Sequence, residues 1–147
     1  MKVAWKIYSA ALERDTTADT DILDITREVE AELARSGVRE GLCLLHVAGS
    51  TAALTTIEYE SGAVADLARA IERLAPRGER YEHDARWGDG NGYSHVRSAL
   101  LGPSLALPVS GGGLVLGTWQ QVVLCDFDNR PRRRRVVVKV MGEAEVG

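Results

Sequence analysis

The sequence predicts a single α+β domain over residues 1–147, with mixed or antiparallel sheets in a sandwich-like arrangement, two main helices and one short helix. Three observations lead there. Strand-like segments outnumber helical ones and crowd the carboxyl-terminal part, two amphipathic stripes of helical spacing interrupt them, and no repeat, low-complexity tract or linker divides the chain. A chain of this size buries roughly 70% of its unfolded surface. Its 45% apolar and 27% charged residues can therefore build a core without disulfides or a structural metal.

Val3, Trp5 and Ile7 alternate with Ala4, Lys6 and Tyr8, the period of two of a strand with one face on a core. Ile22, Ile25, Val29 and Leu33 then recur at helical spacing, and Gly37 follows, which predicts a helix ending near Ser36. Gly41 to Val47 and Ala52 to Tyr59 read as strands around an Ala48-Gly49-Ser50 bend. A second stripe of Val64, Leu67, Ala68, Ile71 and Leu74 stops at Pro76, whose ring cannot continue the ladder. Arg77 to Tyr93 reads as a long charged loop, and a short helix follows from Ser94, as its cap, to Leu101. Strands are expected at Leu105 to Val109, at Leu114 to Phe127 with an interruption at Gly117, and at Arg135 to Met141. Turn clusters at Ser110 to Gly113 and Asp126 to Pro131 would join them as hairpins.

A net charge of −3 gives no overall attraction to nucleic acid or to an anionic membrane. The amino terminus lacks the unbroken apolar core of a secretory signal, and no stretch is apolar for long enough to span a bilayer. Cys43 and Cys125 lie far apart in apolar runs, which reads as buried free thiols in a cytoplasmic protein.

Four groups of residues carry chemistry. His83 and His95, with Tyr81, Asp84 and Asn91, fall in one loop-to-helix segment; imidazoles serve as acid/base groups and metal ligands, and a carboxylate such as Asp84 can orient one. Gly49-Ser50-Thr51, followed by Glu58, offers hydroxyls and backbone N–H groups to an anion, although such sequences also simply turn corners. Gly117-Thr118-Trp119-Gln120 breaks an apolar strand with groups suited to walling a flat ring, to packing in a core or to a subunit contact. Arg130 and Arg132 to Arg135 form a basic run without interleaved aromatics, so a charged strand edge outweighs a nucleic-acid site.

Together these residues resemble the YjbQ-like, secondary thiamine-phosphate synthase family. The motifs are Ser50-Thr51-Ala52-Ala53-Leu54-Thr55 with Glu58, Tyr81-Glu82-His83-Asp84, Asn91, His95, Leu101-Gly102-Pro103-Ser104, Leu116-Gly117-Thr118-Trp119-Gln120 and the terminal Arg-Val-Val-Val strand, from about Gly41 to Glu143. The resemblance implies a compact α+β subunit assembled as a homotrimer, with a site near subunit contacts. It also implies an activity, the displacement of pyrophosphate from an aminopyrimidine pyrophosphate by a thiazole phosphate. On that reading His83 or His95 handles a proton or a divalent metal, magnesium or zinc, while Glu58 and Asp84 orient them. Ser50, Thr51 and Arg97 contact phosphate oxygens, and Asn91, Thr118, Trp119 and Gln120 complete the substrate site, with Trp119 against a ring.

The chain departs from the family where Gly49 stands in place of a histidine and Ile57 in place of an asparagine. His46 does not substitute, because positions three apart on a strand face opposite sides. A non-catalytic metal- or small-molecule-binding protein on the same fold is therefore the alternative to an enzyme. Nucleic-acid binding through the arginine run comes third.

Overall fold

The computed structural model describes residues 2–146. The described residues run β1 (Lys2–Asp15), β2 (Asp21–Asp24), α1 (Thr26–Ser36), β3 (Val38–Val47), β4 (Ala52–Ile57), α2 (Ser61–Leu74), α3 (Glu82–Trp87), α4 (Gly92–Leu101), β5 (Ser104–Ser110), β6 (Gly113–Leu114), β7 (Gln121–Asp126) and β8 (Arg133–Val146). The strands pair antiparallel in a five-stranded sheet of order β1-β8-β3-β5-β6 and a three-stranded sheet of order β2-β7-β4. The α+β class expected from the sequence is what forms.

β7 explains the layering. Its Val122 and Leu124 join a core with Cys43, Leu45 and Val47 of β3, Val136, Val138 and Val140 of β8, and Ile25, Val29 and Leu33 at and along α1. The alternate residues Val123 and Cys125 point the other way, into a second core with Ile22, Phe127 and Ile71 of α2, flanked by Val64, Leu67 and Leu101. A strand covered on both faces needs apolar residues at successive positions, which is why Val122 to Cys125 reads as a continuous run. The order of layers is thus large sheet, small sheet, then α2 and α4.

Several elements differ from the sequence expectation. α1 starts at Thr26, not Ile22, because Asp24 Oδ1 accepts hydrogen bonds from Thr26 N (3.0 Å) and Oγ1 (2.6 Å), while Asp21–Asp24 pairs with β7. The charged segment after Pro76 contains α3, none of whose residues is buried, so no apolar stripe announced it. α4 begins before Ser94, whose Oγ instead donates back to Asn91 O at 2.7 Å from within the helix. The segment 115–120 leaves the sheet altogether between β6 and β7. The turn at 126–131 joins no hairpin: it carries the chain from the small sheet to the large one.

β1 has the opposite facing to its apolar pattern. Tyr8, Ala10 and Leu12 pack on the first core, so Val3, Trp5 and Ile7 of the other parity look outward, Trp5 with 71% of its surface exposed. In the adjoining rows Ile7 pairs with Met141, Met141 with Leu42, and Leu42 with Pro108, extending an apolar outer sheet face. Farther along, β3 and β8 approach most closely at Gly41 and Gly142. A Cβ on either would lie 2.1 Å from a carbonyl oxygen of the other strand, Met141 O or Glu40 O. None of the described helices is long and apolar enough to cross a membrane.

Candidate active site

α3 and α4 bring His83 and His95 together. Their ring centroids lie 4.4 Å apart with planes inclined at 41°. The two helices are held in place by Asp84, whose Oδ1 accepts from Gly92 N at 2.8 Å, and by the close seat of Gly92 on Tyr81. A Cβ at position 92 would fall 2.5 Å from that of Tyr81, so only glycine lets α4 start there. His83 Nδ1 is 3.7 Å from Asp84 Oδ1 and 3.4 Å from Asp89 Oδ1, yet it is buried and hydrogen-bonded to neither. A ring nitrogen buried beside two carboxylates without a partner is poised to receive one.

Beneath the histidines lies a buried charged network that sequence reasoning missed. Arg134 forks onto Asp126, with Nε–Oδ2 and Nη2–Oδ1 both 2.7 Å, and Nη2 also donates to Thr51 Oγ1 at 2.5 Å. Thr51 Oγ1 donates onward to Asp128 Oδ2 at 2.9 Å, which also accepts from Asn91 Nδ2 at 3.2 Å. Burial works against ionisation of Asp128, but hydrogen bonds from Thr51, Arg132, the Arg130 backbone and Asn91 prevail and hold its carboxyl below the usual aspartate value. The available signal was two carboxylates, Asp126 and Asp128, around Phe127 at the end of a buried strand, followed by a basic run.

The residues expected to bind substrate take diverse positions. Ser50 is exposed and borders a cavity of about 370 Å³ with Gly49, His95, Ser98, Ala99 and Pro103. Thr51 is buried, its hydroxyl engaged by Arg134 and Asp128. Arg97 is also drawn into the fold. It is 1% exposed, donates to Ala75 O (3.0 Å) and Thr20 Oγ1 (2.9 Å), pairs with Glu72, and lies over the Tyr93 ring. It is a post inside the fold that holds Thr20 at a positive φ of 62°.

Glu58 is exposed beyond the end of β4 and forms no side-chain hydrogen bond or ion pair to either histidine among the described residues. Thr118, Trp119 and Gln120 lie in the exposed loop before β7, where Gln120 Nε2 donates to Thr56 Oγ1 at 3.0 Å and Trp119 is 71% exposed. Asn91 is buried and borders a second cavity, of about 350 Å³, with Asp89, Asn129, Arg130 and Arg132. His95 borders one cavity, and Asp89, whose Oδ1 lies 3.4 Å from His83 Nδ1, borders the other.

The donor set fits a divalent cation in part. His83, Asp84 and Asp89 each offer a ligand atom within 4.8 Å of the others, and the orphaned Nδ1 of His83 belongs to that set. His95 is outside it and stacks on His83 instead. One nitrogen and carboxylate oxygens suit a borderline or hard ion.

An α+β protein of two antiparallel sheets, with paired histidines on consecutive helices, is the class these features define. The chain belongs to the UPF0047, YjbQ-like family, whose model matches residues 10–143, farther toward the amino terminus than the motifs reached. A UPF0047 protein of Archaeoglobus fulgidus is 40% identical over 126 residues, spanning 86% of this chain and 95% of its own. The UPF0047 protein YugU of Bacillus subtilis is 37% identical over 133 residues, spanning 89% and 97%. A crystal structure of a YbjQ-like protein from Sulfolobus solfataricus superposes with a TM-score of 0.90 at 32% identity, covering 95% of this chain and 99% of that one.

Proposed function

We propose that the His83–His95 pair is the centre of an enzyme of the thiamine-phosphate synthase type, joining two small phosphorylated substrates. The observation that carries this reading is the placement of two imidazoles 4.4 Å apart, with His95 at one cavity and His83 beside Asp89 of a second, an arrangement suited to an acid/base centre serving two substrates. The thiazole nitrogen forms a bond to the methylene carbon of the aminopyrimidine diphosphate as the C–O bond breaks, and the diphosphate leaves with the electron pair. His83 or His95, when protonated, donates to the departing oxygen, and Asp84 and Asp89 place Oδ1 atoms 3.7 and 3.4 Å from His83 Nδ1. Where His95 is the acid, neutral His83 would be free to hold a divalent cation with Asp84 and Asp89, and the cation would supply positive charge to the leaving group.

The test is purified protein with both precursors and magnesium. Thiamine phosphate and pyrophosphate should form together, and both should vanish in His83→Asn and His95→Asn; no product from the wild type removes the assignment. Gly49 favours the second reading, a binding protein that has lost turnover. It borders the cavity that His95 shares, and a Cβ there meets Arg134 Nη1 at 3.0 Å, so Gly49→His requires that side chain to give way. A large gain of activity in Gly49→His supports a degenerate site.

The homotrimer implied by the family resemblance has a surface to use: the outer sheet face with Val3, Trp5, Ile7, Met141 and Leu42. Light scattering should give three times the chain mass, and Trp5→Glu should shift it toward the monomer. A reducing, cytoplasmic setting accords with buried Cys43 and Cys125, whose thiols burial pushes up to about 11 and about 12.

A further inference from the structure

The arginine run separates, once folded, into members with partners and members without. Arg133 pairs with Glu13 and Asp15 on β1, and Arg134 is committed to Asp126. Arg132 places Nη2 3.1 Å from Asp128 Oδ2, but its Nε is buried with no hydrogen-bond partner. The Arg130 side chain makes no hydrogen bond or ion pair among the described residues, and it borders the 350 Å³ cavity together with Arg132.

The turn that presents these two guanidiniums is fixed before any ligand arrives. Arg130 N donates to Asp128 Oδ1 at 3.0 Å, Asn129 N to Asn91 Oδ1 at 3.2 Å, and Asn129 Nδ2 to Asp89 O at 2.9 Å. Planar guanidinium groups match the oxygens of phosphate in a two-pronged fashion, and Arg130 has no internal partner among the described residues to give up for such an acceptor. Asp89 is the one carboxylate bordering the cavity among the described residues, and its Oδ1 accepts from Asn91 N at 3.1 Å and lies 3.4 Å from His83 Nδ1. It therefore stands between the arginines and the imidazole, where it attracts the proton or divalent cation that accompanies a phosphate group.

We propose that this cavity is the subsite for the diphosphate group of the substrate, with Arg130 and Arg132 on its oxygens and Asp89 linking it to His83. The assignment rests on the reading that His83 and His95 form the reaction centre, and it replaces Thr51 and Arg97 as the phosphate contacts.

Calorimetric titration of the full chain with pyrophosphate, with and without magnesium, tests it. The wild type and Arg135→Gln, an exposed member of the same run, should bind alike, whereas Arg130→Gln should weaken binding by about tenfold or more. Arg132→Gln should do the same, and because it also releases Asp128 its fold is checked by circular dichroism. Arg130→Gln, which disturbs no internal pair, decides the matter if Arg132→Gln does not fold. Pyrophosphate binding that is absent in the wild type, or unchanged in Arg130→Gln, overturns the subsite. The two readings fail separately. Pyrophosphate binding that depends on Arg130 in a protein making no thiamine phosphate keeps the subsite and removes the reaction. Product formation with an unaltered KM for the diphosphate substrate in Arg130→Gln keeps the reaction and removes the subsite.

Discussion

The network around Asp126 and Arg134 and the cluster around His83 hold similar groups and meet through Asn91, yet they are built on opposite principles. In the network each carboxylate has several donors and the Arg134 fork is fully used. Around His83 a buried nitrogen faces two carboxylates without bonding to either, and Arg132 leaves its Nε unpaired. The lesson is that a satisfied buried network rigidifies a fold, whereas an unsatisfied one at its edge is left to be completed by something else.

Mutation can break this contrast, and stability is the common scale. Asp126→Ala should have the largest effect, about 3–5 kcal/mol in urea unfolding, because it strands Arg134 without its partner. Replacing both by apolar residues, Asp126→Leu with Arg134→Met, should recover much of that loss. Arg97→Met should cost about 3 kcal/mol, since it frees Thr20, Ala75 O and Glu72 at once.

Asp128→Asn should chiefly alter the acid limb. The folded-state value of Asp128 is lowered, so the unfolded chain binds more protons and stability falls with falling pH from the ordinary aspartate range through the lower folded value. Within that window the variant should lose a slope of up to about 1.4 kcal/mol per pH unit, read from unfolding midpoints against pH. His83→Ala should change stability least, within about 0.5 kcal/mol, because no hydrogen bond of the fold ends on its ring. Its turnover should nevertheless fall by about 10²–10⁴, the usual contribution of an acid/base group.

The parts of this molecule legible in the sequence are those governed by local periodicity. α2 was readable because Val64, Leu67, Ala68 and Ile71 face one core, and Pro76 follows its end. The stripe ahead of α1 misled because Ile22 and Ile25 are both buried, but in two different cores, one of them as part of a strand. Pairing of β2 with β7 is a long-range choice that helical spacing does not register. The outward facing of Trp5 was hidden for a related reason: alternation shows that two faces differ, not which one meets the core.

For the site, the histidine pair was legible, since both rings lie within one short loop-to-helix segment. The burial of Arg97 and Thr51 was not legible, because a polar side chain at a surface looks the same in sequence as one buried in a network. The division of labour within the arginine run was equally invisible, as it depends on β1 supplying Glu13 and Asp15 from more than a hundred residues away.

The glycine crossing of β3 and β8 governs how this sheet can fail. One methyl group at position 41 or 142 would wedge two main chains apart, since the space each Cβ would occupy already holds backbone from the other strand. β1 has β8 as its sole hydrogen-bonded neighbour among the described strands, so a wedge there loosens two strands rather than one. The outermost ribbon of the large sheet, with the exposed Trp5 upon it, would loosen as a unit and draw Val136, Val138 and Val140 out of the first core with it.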